Sequence, residues 1–176
     1  MPNRAILLPK YWQRGEHEKG MGLFKEQERI SRELGDPYGI QRSLGNQALI
    51  LTDLSDFVGA LELYKKQERI CRELGHLDGI QVSLGNQAEI LIKWGDLDKA
   101  MELCKEGEKI CRDGDIPDGL AYSLAHQAEI LVKKGQPQPA ILLAEEAQRL
   151  VKEHGFKWLA EKIGPKLEKI LNQPCT

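Results

Sequence analysis

Gly79-Ile80-Gln81-Val82-Ser83-Leu84-Gly85-Asn86-Gln87-Ala88-Glu89-Ile90-Leu91 decides how this chain folds, because the stretch has a close copy on either side. Upstream it reads Gly-Ile-Gln-Arg-Ser-Leu-Gly-Asn-Gln-Ala-Leu-Ile-Leu from Gly39 to Leu51. Downstream it reads Gly-Leu-Ala-Tyr-Ser-Leu-Ala-His-Gln-Ala-Glu-Ile-Leu from Gly119 to Leu131. The copies start at 39, 79 and 119, a period of 40. Periods of this length belong to stacked helical hairpins, each of which buries its apolar face only against a neighbour.

The spacing inside the central copy supports helices. Leu77, Ile80, Leu84, Ala88 and Leu91 recur every three or four residues, and so do Leu97, Ala100, Cys104, Gly107 and Cys111. Each set is one face of a helix, and no useful length shows the alternation of a strand. Gly35, Gly75, Gly114 and Gly155 read as helix stops, where glycine supplies a left-handed closing residue. Asp36-Pro37, and Asp115 with Pro117, restart the chain as cap and first helical position. Gly15, Ser55, Gly95 and Gly135 separate the two helices of each unit.

These signals predict an all-α, right-handed solenoid of antiparallel helix pairs forming one domain over residues 1–172. A partial repeat spans 1–36, full repeats span 37–75, 76–115 and 116–155, a capping helix spans 156–172, and 173–176 form a tail. Pro9 interrupts the first helix of the partial unit and kinks or shortens it. The capping helix carries Trp158, Leu159, Ile163, Leu167, Ile170 and Leu171 as its apolar stripe. Gly164-Pro165 is expected to kink it. Glu168 replaces the small residue of the other copies, as suits a helix with no successor.

The small residues themselves resemble those of the tetratricopeptide repeat (TPR) family. Ala48, Ala88 and Ala128 match its small residue in the first helix. Ala60, Ala100 and Ala140, with Gly20 in the partial unit, match the one early in the second. Leu44, Leu84 and Leu124, then Leu51, Leu91 and Leu131, match its large apolar positions. The long period, and Ser83-Leu84-Gly85-Asn86-Gln87-Ala88, are similar to the class found in kinesin light chains and bacterial regulatory arrays. The chain departs from that pattern at Gln47, Gln87 and Gln127, where an apolar residue is usual. A buried amide costs a few kcal/mol unless it is hydrogen-bonded. Either these amides pair from repeat to repeat or their face is wet.

Composition narrows the function. At 41% apolar and 30% charged residues the chain is too apolar for disorder. A net charge of −2 with interspersed signs argues against nucleic acid as a partner. No apolar run is long enough to span a bilayer and the first residues make a poor export signal, so a cytoplasmic protein is expected. Cys71, Cys104, Cys111 and Cys175 form no C-x-x-C pair. Cys71 and Cys111 share a repeat position with Ser31 and Val151, which points to a small packing site. His126 and Glu129 lie one turn apart, but one histidine makes no metal site. No catalytic constellation, metal or cofactor is expected.

A stripe on the first helices is the candidate site. It comprises Arg42, Asn46, Leu49 and Asp53, then Val82, Asn86, Glu89 and Lys93, then Tyr122, His126, Glu129 and Lys133. These positions share one helical face, away from the small residues. In the family that the repeats resemble, this face lines a concave groove and holds an extended peptide. The resemblance therefore implies a non-catalytic scaffold for a peptide or partner protein. Asn46, Asn86 and His126 would form a polar ladder at successive levels, with Gly45 and Gly85 leaving room beside it. Glu28–Arg32, Glu68–Arg72 and Glu108–Arg112 are read as a solvated outer face. The alternatives are a regulatory segment of a larger signalling chain bearing an ATPase or effector, and self-association through Tyr11, Trp12 and the end helices.

Overall fold

The computed structural model describes residues 14–172, and they form eight α-helices with no strand among them. The expectations for Pro9, Tyr11, Trp12 and Cys175 lie outside the described residues. The chain divides into two compact units, one ending at Gly75 and the other beginning at His76.

The first unit holds α1 (Arg14–Glu33), α2 (Pro37–Asp53) and α3 (Phe57–Leu74). Helix α2 packs against both of the others. Leu44, Ala48, Ile50, Ala60, Tyr64 and Cys71 are its buried apolar residues. The second unit holds α4 (Leu77–Trp94), α5 (Leu97–Gly114), α6 (Pro117–Lys133), α7 (Pro137–His154) and α8 (Lys157–Leu171). Each helix packs on the next, and α6 also packs directly on α4 and α8. The first helices of the second unit therefore make one layer, with α5 and α7 laid against it.

The small residues explain why the helices approach so closely. Ala48, Ala60, Ala88, Ala100, Ala128 and Ala140 are all fully buried. Ala88 and Ala100 share one apolar cluster with Cys104 and Ile130, and Ala128 and Ala140 share another with Leu159 and Ile163. Methyl groups let two backbones meet, and the larger residues around them fill the space to crystal-like density. Ser31, Cys71, Cys111 and Val151 are all buried at their common position. The three described thiols are free, and burial pushes Cys71 up to about 11 and Cys104 and Cys111 up to about 12.

Two local readings change. Helix α5 runs through Gly114, and Asp115 takes the left-handed conformation at φ 52°. The left-handed slot is set by register, at 35, 75, 115 and 155, and not by the nearest glycine; aspartate is among the few other residues that tolerate it. Trp158 is not on the apolar stripe of α8: it is 47% exposed, whereas Leu159, Ile163, Leu167 and Ile170 are buried. Helix α8 continues through Pro165.

Ala88→Leu adds three heavy atoms where no space exists. It should lower unfolding free energy by about 1–3 kcal/mol in urea melts. A variant that melts like the parent would place Ala88 off the seam.

Candidate binding face of the first helices

The stripe begins on α2 in the first unit. Arg42 and Asp53 are exposed and Asn46 is 9% exposed. With the Gln27 amide turned so that its oxygen faces α2, Arg42 donates to it at 2.9 Å. Asp53 lies 3.8 Å from Nε2 of His17 on α1. Among the described residues the Asn46 amide has no hydrogen-bonding partner. Gly45 does not leave a vacancy for a ligand, because a Cβ there would lie 2.7 Å from the side chain of Gln67 on α3. That side chain is buried and its Nε2 donates to Gln41 at 3.2 Å. The neighbouring helix takes the room.

In the second unit the stripe is denser than its spacing suggested, because α8 continues it. Lys162 and Lys166 stand forty residues beyond Tyr122 and His126. The Tyr122 hydroxyl donates to Glu89 on α4 at 2.9 Å. Lys93 lies 3.2 Å and Lys162 3.8 Å from the same carboxylate. The Lys162 ammonium also sits 4.7 Å over the Tyr122 ring. Glu129 is met by Lys166 at 2.6 Å and by Lys133 at 3.9 Å. Burial alone would raise the Glu89 carboxyl, but Lys162, Lys93 and the tyrosine hydroxyl hold it well below the usual carboxylate range. Four lysines thus share two carboxylates. A Cβ at Gly85 would meet the Tyr122 ring at 2.8 Å, so this glycine too makes room for a neighbouring helix.

Tyr122 and His126 are buried, at 7% and 1% exposure, where the spacing predicted an open groove. Helix α8 lays Lys162 and Lys166 beside them, one unit beyond the twelve positions of the stripe. The +40 register was the signal that would have found both lysines. The His126 ring meets Tyr122 edge-on at 4.3 Å, and Nδ1 lies 3.0 Å from the Tyr122 carbonyl oxygen. A carbonyl only accepts, so Nδ1 carries the hydrogen and Nε2 presents a bare lone pair. That atom is buried without a partner. Burial, assisted by the charge on Lys166, pushes the imidazole down to about 3. Asn86 on α4 is half-buried and its amide, like that of Asn46, has no partner among the described residues.

Two of the three unusual glutamines, Gln47 and Gln127, have a carboxylate partner. Gln47 donates to Glu28 on α1 at 2.7 Å, and Gln127 donates to Glu108 on α5 at 2.7 Å. Each amide reaches back to the preceding second helix. The glutamates of the Glu–Arg pairs are therefore more than a solvated face: Glu28 and Glu108 are mostly covered, at 20% and 23% exposure. Among the described residues no group of three or more His, Cys, Asp or Glu is placed to hold a metal. No described helix is long and apolar enough to cross a membrane.

An all-α repeat solenoid is the class that these helices define. Two solved structures are similar to it. BtubC (BKLC) from P. vanneervenii aligns with a TM-score of 0.66 at 20% identity, over 78% of this chain and 57% of that one. The de novo designed helical repeat protein DHR81 aligns with a TM-score of 0.53 at 19% identity, over 89% of this chain and 91% of that one. The chain thus spans little more than half the length of BtubC. No protein-family model matches the chain, and no curated protein sequence matches it closely.

His126 couples the face to pH. In the folded chain the imidazole stays neutral, whereas the unfolded chain binds its proton below about pH 6.5. Acid therefore favours unfolding. Between pH 6.5 and 5 the parent should lose about 1–2 kcal/mol more stability than His126→Leu, measured by urea melts at both pH values. Glu89 adds its own loss only below the ordinary carboxylate range, near pH 4.3. Equal losses in parent and variant would mean that the imidazole titrates as if exposed.

Proposed function

We propose that the chain is a non-catalytic interaction scaffold of the tetratricopeptide type, which holds an extended peptide segment of a partner protein on its first-helix face. One observation carries this reading. On the first helices of the second unit the half-buried Asn86 amide has no partner among the described residues, and the His126 Nε2 is buried without one. Covered polar groups in folded proteins are nearly always hydrogen-bonded. A carboxamide donates and accepts together, which suits a peptide backbone. Glu89, Glu129 and the lysines around them would then select side chains, exchanging the bonds that they make to one another for bonds to the ligand. The same face would serve in a regulatory segment of a longer signalling chain.

The test is selection of a random peptide library on the purified full chain, followed by titration of one recovered, synthesised peptide. Asn86→Ala should weaken it by about 0.5–1.5 kcal/mol per net hydrogen bond lost. Lys105→Ala, exposed on α5, serves as the control. Unchanged affinity in Asn86→Ala, with the fold intact, would contradict the reading.

A further inference from the structure

One register position on the second helices reads Glu26, Lys66, Glu106 and Glu146 in successive copies. In the second unit its role is visible. Arg112 on α5 donates to Glu108 of its own helix at 2.9 Å and to Glu146 on α7 at 3.0 Å. The second bond straps together the two helices that flank α6. In the first unit α1 and α3 flank α2 in the same way. Arg32 pairs with Glu28 on α1 at 2.7 Å, but α3 presents Lys66 where α7 presents Glu146. An ammonium cannot accept from a guanidinium. Among the described residues neither Arg32 nor Lys66 bonds across to the other helix.

A groove of about 630 Å³ lies there, bounded by α1 and α3 with α2 beneath. Ile40 and Leu44 line it from α2, Leu63 and Ile70 from α3, and Arg32, Lys66 and Arg69 stand among them. Its other charged and ring positions repeat in the second unit unchanged: Glu28 as Glu108, Arg32 as Arg112, Pro37 as Pro117, Arg69 as Arg149 and Glu73 as Glu153. Lys66 is thus a single charge reversal. It turns a set with one negative charge in excess into one with a positive charge in excess. Glu28 does not offset it freely. Burial pushes its carboxyl up, but Gln47, Arg32 and the field of Lys66 bring it down, so the acid is already engaged with all three.

We infer that this groove is a docking site for an acidic peptide, whose carboxylate seats between Arg32 and Lys66 as Glu146 seats on Arg112, with apolar side chains beside it on Ile40, Leu63 and Ile70. The charged groups of the site are on the second helices and its apolar floor on Ile40 and Leu44 of α2, apart from Asn46, and it does not depend on the function proposed above. The ligand supplies the anion that the other copy carries within its own chain.

The probe is the pentapeptide Leu-Glu-Leu-Glu-Leu carrying an uncharged dye, titrated by fluorescence anisotropy on the full chain. It should bind at least about ten-fold more tightly than Leu-Gln-Leu-Gln-Leu, as expected for charge-assisted hydrogen bonds. Added salt should weaken it. Lys66→Glu rebuilds the strap, so it should fold, melt no lower than the parent and lose the same factor in affinity. Lys66→Gln should lose part of it, and Asn46→Ala should lose none. Equal binding of the two peptides, full binding by Lys66→Glu, or loss of binding in Asn46→Ala alone would each overturn the inference. The last of these would move the peptide to the first-helix face.

Discussion

The close approach of paired helices at fully buried alanines is the constraint on which everything else rests. Ala48 and Ala60 in the first unit, and Ala88, Ala100, Ala128 and Ala140 in the second, have no accessible surface. At that separation a side chain larger than methyl has nowhere to go, so the large apolar residues are displaced to the flanks of the seam. The same crowding forces the choice of residues next to it. Gly45 yields to Gln67 and Gly85 yields to Tyr122, each a small residue opposite a large one on a neighbouring helix.

A seam this close also buries polar groups, and the chain handles them through the preceding second helix. Gln47 and Gln127 would each cost a few kcal/mol alone. Their bonds to Glu28 and Glu108 remove that cost, and each glutamate is in turn held by its own arginine. Buried networks of this kind are stable when every member is satisfied. His126 is an exception, and so is the Gln67 Oε1 on α3. His126 keeps a bare Nε2 in the interior. The His126 Nε2 is thus one buried group on the second unit's first-helix face that a partner could satisfy.

Much of this was legible in the sequence. The three copies placed the helix pairs, and helices begin at Pro37, Leu77 and Pro117, forty residues apart. The small residues located the seam because only packing explains alanine at one spacing in three copies. What periodicity could not give was the surroundings of each polar residue. Tyr122 and His126 share a face with Asn86 by register, yet α8 brings Lys162 and Lys166 beside them and they are covered. Gly45 and Gly85 looked like room for a ligand, but the side chain filling each comes from a helix more than twenty residues away. The groove beside Lys66 was equally hidden: one lysine among glutamates looks like drift until the Arg112–Glu146 strap shows what the position does.

Native-state hydrogen exchange tests the central claim most directly, because it reads how each amide opens. If the alanine seam holds each unit together, the slowest-exchanging amides should cluster on the helix turns around Ala48 and Ala60 in the first unit. In the second they should cluster around Ala88, Ala100, Ala128 and Ala140. The outward turns of α3, α5 and α7 should exchange by local opening. Maximal protection on those outward turns, or uniformly fast exchange at the six alanines, would contradict the account.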